Sequence, residues 1–272
     1  TRMSLTEQMT VLAGDAKAAA HLMTRLSTDE KNACLIAMAD ALEANGSPIS
    51  EANEKDMQTG REMDLSQAML DRLLLDEKRI TGMANGLREV VELEDPVGRV
   101  LEERERPSGL RLRKVAAPIG VVVIIYESRP NVTADAAGLC FKSSNATILR
   151  GGKEAIHSNQ IIARLMVEAG QATIDHFPTH AIQVVPTTDR AAIPELLSLT
   201  DQVDLCIPRG GEGLIRAVAE CSRVPVIKHY KGICRVYIDA DADAEKAVAV
   251  TVNAKTQRSG VCNAMETLLV HE

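Results

Sequence analysis

The sequence predicts an α/β chain: helices first, then a protruding hairpin, then a doubly wound parallel sheet. Three observations carry that prediction. The first hundred residues place apolar side chains at helical spacing. Residues 98–115 alternate charged and apolar side chains around a Pro-Ser-Gly turn. From Pro118 onward, short apolar runs alternate with helical stretches over brief connections, which is how βαβ units are written.

The helical part covers residues 1–97. "STDEKNACLIAMADALEANG" opens with the capping-box spacing Ser27 to Glu30 and closes on Asn45-Gly46. Leu35, Met38, Ala39 and Leu42 fall on one face. "SQAMLDRLLLDEKRITGMANGLREVVEL" continues in the same style. The hairpin, "GRVLEERERPSGLRLRKV", spans 98–115 and turns at Pro107-Ser108-Gly109. Two strands alone are marginal, so it is expected to pack on another domain or another subunit.

The α/β domain is placed at 116–227. "IGVVVIIY" is a continuous apolar run, as a strand buried on both faces requires. Helical text follows to about Phe141, with Pro130 barring helix at Arg129 and Asn131 free to cap. "NATILR", "AIQVVP" and "VDLCIP" are further strands. The helices "EAIHSNQIIARLMVEAG", a stretch near 189–199 and "EGLIRAVAECS" go with them. After "VPVIKH" come a strand, "CRVYIDA", and a helix, "DAEKAVAVTVNAKTQ".

Composition narrows the function. The 272 residues carry a formal net charge of -7, which argues against nucleic acid as a main partner. There is no Trp, and the only aromatics are Tyr126, Tyr230, Tyr237, Phe141 and Phe177, too few for base-stacking platforms. No run approaches the roughly 18 apolar residues of a membrane span. The first twenty residues lack a signal-peptide core and cleavage site. Six cysteines occur without a CxxC pair, which points to neither metal site nor disulfide framework and fits a reducing cytoplasm.

Ligands of an open parallel sheet bind beyond the carboxyl ends of its strands. Two glycine turns lie there. "ILRGGKEA" presents Arg150, Gly151, Gly152 and Lys153, and "CIPRGGEGLI" presents Gly210 and Gly211 after Arg209. Each puts a glycine pair and a cation ahead of a helix, where backbone N–H groups and the helix dipole favour an anion. Neither is GxGxxG or a P-loop. "YESRPNVTAD" is either a plain strand-to-helix turn or an anion clamp. Cys262 alone among the cysteines lies in small, polar text, "TQRSGVCNAMET". It is either a loop thiol or a nucleophile. Lys255 and Arg258 are near enough in sequence to favour its thiolate, and its own N–H with the adjacent Asn263 could hold an oxyanion. His229 in "VIKHYKG" is a surface or core histidine unless the fold brings it to a site.

"YESRPNVTADAAGLCFKSSNATILRGGKEAIHSN", "DLCIPRGGEGLI" and "VNAKTQRSGVCNAMETLLVH" closely resemble the gamma-glutamyl phosphate reductase family, within the aldehyde dehydrogenase superfamily. The resemblance runs through the whole chain and is densest from Gly120 to His271. It implies an aldehyde dehydrogenase-like fold in which residues 228–272 begin a second, catalytic α/β domain. It implies NADPH-dependent reduction of L-glutamyl 5-phosphate to glutamate 5-semialdehyde, with release of phosphate, in proline biosynthesis. Cys262 falls on the family's nucleophile. Arg150, Gly151, Gly152 and Lys153 fall near the adenosine ribose, where a cation suits the 2′-phosphate of NADPH. Gly210 and Gly211 fall near the pyrophosphate. Ser128 takes the place of the superfamily's oxyanion asparagine, and Arg129 and Asn131 become substrate contacts. His229 aligns near the glutamate base of hydrolytic relatives. The hairpin aligns with an oligomerisation arm, which implies a homo-oligomer. No metal is implied. Family members continue well beyond this point, so the chain is expected to stop within the catalytic domain. The competing expectation is therefore a truncated, non-catalytic fragment that binds a dinucleotide or self-associates.

Overall fold

The computed structural model describes residues 3–230, 232–259 and 261–272. It divides into two compact units, one running to Lys228 and the other from His229 to Glu272.

The first unit opens with five helices: α1 (Leu5–Met23), α2 (Thr28–Ala44), α3 (Gly46–Glu62), α4 (Gln67–Leu73) and α5 (Glu77–Glu92). Their starts follow from the sequence. Ser4 and Ser27 each form a full capping box, with Glu7 and Glu30. Ser66 caps α4 and Asp76 caps α5. The stretch 66–93 thus holds two helices. Asp76 starts the second, and the Arg79 side chain donates to Leu74 O at 2.9 Å.

The hairpin follows as β1 (Val100–Glu105) and β2 (Arg111–Val115), antiparallel and exposed along nearly all of both strands. Next come β3 (Val121–Tyr126), α6 (Asn131–Lys142), β4 (Ala146–Arg150), α7 (Ile156–Thr173), β5 (Ile182–Val184), α8 (Ala192–Leu197), β6 (Leu205–Arg209) and α9 (Glu212–Cys221). The four strands pair in parallel in the order β5-β4-β3-β6. Every residue of β3 is buried, as its unbroken apolar run requires. The chain steps outward from β3 to β5, then returns to β6 on the other side of β3. The order therefore reverses between β3 and β6, where ligands of such sheets bind. Helices α6 and α7 pack against α2, α3 and α5, while α1 packs on β3, β4 and α8. "VPVIKH" forms no strand of its own, and Val226 contributes a single parallel bridge to Cys206.

Two charged pairs lock this unit. Lys17 of α1 meets Asp204 at 2.8 Å, and Asp204 also accepts from Val121 N at 2.8 Å. Gly120 turns there at φ +123, and a Cβ would lie 2.1 Å from the Asp204 carboxylate, so only glycine fits. The second pair is more deeply set. Lys31, 1% exposed, meets Asp95 at 2.5 Å and donates to Ser144 Oγ at 3.0 Å.

The second unit comprises β7 (Arg235–Ile238), α10 (Ala244–Thr256) and β8 (Thr267–Val270). The strands are parallel, in register from Arg235↔Thr267 to Ile238↔Val270. Asp243 caps α10. No residue of α10 is buried.

Burial alone would raise the Asp95 carboxyl, but hydrogen bonds from Lys31, Thr28 and the Val97 N–H outweigh it and leave its pKa lowered. The folded state then binds fewer protons than the unfolded one just below the ordinary aspartate value of about 3.9. We predict that Asp95→Ala, which strands Lys31 without its counter-charge, lowers unfolding free energy by about 3–5 kcal/mol at neutral pH. Urea titrations of both proteins measure this. The wild-type advantage is present above the ordinary aspartate value and is lost as pH falls through the lowered folded one.

Candidate functional site

The carboxyl ends of the four parallel strands open into four turns, and the chain ties these turns to one another. The central tie is made by two consecutive residues after β3. Glu127 Oε2 accepts from the backbone N–H of Gly211 at 3.0 Å, across the switch point between β3 and β6. On the other side, Ser128 donates both its backbone N–H, at 2.9 Å, and its hydroxyl, at 2.6 Å, to Glu154 Oε1. Glu154 lies just beyond the glycine pair that follows β4. Ser128 is buried and sits at φ 31, in the left-handed region that non-glycine residues seldom adopt. The carboxylate contact holds it there.

The turn after β4 is built on the same acid. A Cβ on Gly152 would lie 1.9 Å from Glu154 Oε1, and one on Gly151 would lie 2.0 Å from Asn159 Nδ2. These glycines are required by close packing of buried polar side chains. Arg150 is 9% exposed, and its guanidinium donates to Gly151 O and, at 3.0 Å, to Thr188 O in the turn after β5. Burial lowers the pKa of this guanidinium, and its Nε has no hydrogen-bond partner. Lys153 is exposed. At this turn Arg150 is the internal tie and Lys153 the outward cation.

Behind the turns lies a buried polar chain. Tyr126 Oη and Thr133 Oγ1 are 2.7 Å apart, and Thr133 donates to Asn159 Oδ1 at 3.0 Å. Burial pushes the Tyr126 phenol far up, so it stays neutral. Asn159 Nδ2 is buried without a partner. Further back, Asp56 of α3 accepts from His157 N at 3.1 Å and Ser158 N at 2.7 Å. It serves the amides at the start of α7, which the side chains of α7 leave uncapped. Burial raises the Asp56 carboxyl in spite of those bonds.

After β6, Gly210 passes so close to Glu127 that a Cβ would lie 2.7 Å from its carboxylate. Gly211 is the N-cap of α9 and offers no side-chain cap. Arg129 is half-buried beside the Ser128 turn. The N-cap position of α6 is Pro130, and Asn131 is the first helical residue. Its amide donates to Asp135 Oδ2 at 3.1 Å instead of capping the helix. Ser128, which by resemblance stands about where the superfamily has its oxyanion asparagine, has its hydroxyl engaged by Glu154.

The structure therefore brings Arg150, Gly151, Gly152, Lys153, Ser128, Arg129, Asn131, Gly210 and Gly211 to one edge of one sheet. Cys262 and Asn263 belong to the second unit, in the turn between α10 and β8, and both are exposed. Lys255 donates to Met265 O at 3.1 Å, on the same turn. His229 is exposed at the start of that unit. Glu127, Glu154, Asn159 and Asp56 were not singled out in the sequence. A carboxylate directly after each of two strand-end motifs, "YE" and "RGGKE", was the available signal. A depression against edge strand β5, lined by Gln160, Arg164 and Gln183, holds none of these residues.

The aldehyde dehydrogenase family model matches residues 3–272. The chain is 52% identical over 270 residues to the gamma-glutamyl phosphate reductase of Geobacter metallireducens, covering 99% of this chain and 64% of that protein. It is 54% identical over 260 residues to that of Salinibacter ruber, covering 96% and 59% respectively. The crystal structure of the Thermotoga maritima gamma-glutamyl phosphate reductase superposes with a TM-score of 0.90 at 40% identity, over 97% of this chain and 64% of that one. The Saccharomyces cerevisiae reductase superposes at 0.75 and 37%, over 99% and 66%. The chain thus spans about three fifths of the length of the curated relatives it matches. On sequence and fold together, it belongs to the aldehyde dehydrogenase family.

Proposed function

We propose that the chain carries the cofactor-binding and nucleophile-bearing parts of an acyl phosphate reductase that acts on L-glutamyl 5-phosphate. The observation that carries this reading is identity of 52% to a gamma-glutamyl phosphate reductase over 270 residues, a region that includes the exposed Cys262. The chemistry suits the residue types. A cysteine thiolate attacks the acyl carbon, the carbon–oxygen bond to phosphate breaks, and a thioester forms on Cys262. The backbone N–H of Cys262 and the amide of Asn263 are the donors assigned to the developing oxyanion. Arg129 and Asn131 are assigned to the substrate. Ser128 acts by holding the turn that carries them.

NADPH is the cofactor of this reading, and when bound it supplies a hydride to the acyl carbon. The sheet edge fits such a group. Gly211 N–H already donates to an anionic oxygen, that of Glu127. A pyrophosphate arriving there would take the amide and turn Glu127 outward. Lys153 is the exposed cation for the 2′-phosphate, with Gly151 and Gly152 shaping the turn. Arg150 holds that turn against Thr188. The exposed hairpin is the assigned contact between copies in a homo-oligomer, and the cytoplasm is the compartment that suits the chemistry. A second reading is a dinucleotide-binding or self-associating chain without turnover.

Three outcomes are expected. Given glutamate 5-semialdehyde, phosphate and NADP, the protein should form NADPH, and Cys262→Ala should abolish the reaction. Calorimetry that finds NADPH binding with no turnover would instead establish the second reading. Lys153→Ala should weaken NADPH about tenfold or more while leaving NADH nearly unchanged, as loss of one charge-assisted contact to the 2′-phosphate requires. Equal losses for both cofactors would remove Lys153 from that role. Glu154→Ala should cost about 1–3 kcal/mol of stability by orphaning two buried donors on Ser128. Glu154→Gln keeps a carbonyl oxygen in place and should recover most of that loss in thermal melts.

A further inference from the structure

In the second compact unit one cysteine's thiol meets the backbone of another. Cys234 immediately precedes β7, and Cys262 sits in the turn that leads into β8. These strands run parallel and in register, so their approaches lie side by side. The Cys234 thiol donates to the carbonyl oxygen of Cys262 at 3.3 Å. The Cys234 carbonyl in turn accepts from Glu266 N at 2.9 Å and Thr267 N at 3.2 Å. The turn bearing Cys262 is therefore folded back over Cys234, and the Cys234 sulfur touches the Cys262 backbone. Cys262 is exposed and Cys234 half-buried, so small oxidants reach the first and the second is held against it.

The other cysteines are built differently. Cys34, Cys140 and Cys206 are buried, and burial pushes their thiols up to about 11, 11 and 12 respectively. Burial also raises Cys221. Burial disfavours the thiolate at all four.

We propose that Cys234 is a resolving thiol that protects Cys262 from irreversible oxidation. A hydroperoxide is the oxidant. The Cys262 thiolate attacks its terminal oxygen, the O–O bond breaks, and Cys262 becomes a sulfenic acid while the peroxide is reduced to an alcohol or water. The Cys234 sulfur then attacks the sulfenic sulfur, the hydroxyl leaves as water with the Cys234 proton, and a Cys234–Cys262 disulfide forms. A dithiol restores both cysteines by exchange. The disulfide blocks further oxidation of Cys262 to sulfinic and sulfonic acids. The inference rests on the placement of two thiols and stands apart from the acyl-transfer reading. Its readout is a peptide mass, not a rate.

The reduced 272-residue protein is treated with hydrogen peroxide, alkylated, digested with trypsin without reductant and mapped by mass spectrometry. Trypsin releases Cys234 in residues 232–235 and Cys262 in residues 259–272. The expected result is one disulfide joining these two peptides, and its loss on adding dithiothreitol with return of both alkylatable thiols. In Cys234→Ser the link is absent, and Cys262 accumulates as sulfinic and sulfonic acid that dithiothreitol does not reverse. The proposal is overturned if the wild-type map shows Cys262 overoxidised and unlinked, or joined to Cys221. It is equally overturned if Cys262 is lost to irreversible oxidation as fast with Cys234 present as without it. The wild-type map decides the matter alone should the variant misfold, and Cys234→Ala provides a second replacement.

Discussion

A single buried carboxylate sets the geometry of the sheet's working edge. Glu154 takes two hydrogen bonds from Ser128, one from its backbone and one from its hydroxyl. Ser128 sits there at a positive φ, and Glu127, the residue before it, reaches Gly211 on the other side. Two adjacent residues thus join the turns after β4, β3 and β6, and Arg150 extends the join to the turn after β5 through Thr188. The strand ends behave as one rim because polar side chains bridge them. The hydrophobic sheet below fixes only where they start.

The glycines of this rim follow from the same constraint. Gly151 and Gly152 leave room for Asn159 and Glu154, and Gly210 leaves room for Glu127. In a dinucleotide-binding turn, glycines are usually argued from the approach of a phosphate. Here they are already needed by the protein's own polar atoms. The two needs agree when the bridging carboxylate occupies the amide that an anion would take, as Glu127 does at Gly211. The N-terminus of α9 carries an internal acidic partner in this structure.

Much of this was legible in the sequence, and the reasons differ by element. The capping box at Ser27 and Glu30 was legible because both partners lie within one turn. Strand β3 was legible because a strand buried on both faces needs no alternation. The hairpin showed in its alternating charges and its Pro-Ser-Gly tip. The character of Arg150 was not legible. It reads as a free cation after a strand, but it is buried and donates to Thr188 O, 38 positions away. Asn131 fits a helix cap by type, yet Pro130 occupies that position and the amide turns to Asp135. Ser128 matched an oxyanion position by alignment, while its hydroxyl answers to a carboxylate that only the fold brings near. Contacts of that kind join turns on different strands, and no local pattern announces them.

We propose that the rim of bridged turns, with Glu127 resting on Gly211, seats a nucleotide's phosphates. A crystal structure of the protein grown with NADPH tests it most directly. The expected structure has the pyrophosphate against Gly210 and Gly211, Glu127 turned away from the Gly211 N–H, and the Ser128–Glu154 bonds unbroken. Density for the cofactor elsewhere, with Glu127 still bound to Gly211, would contradict it.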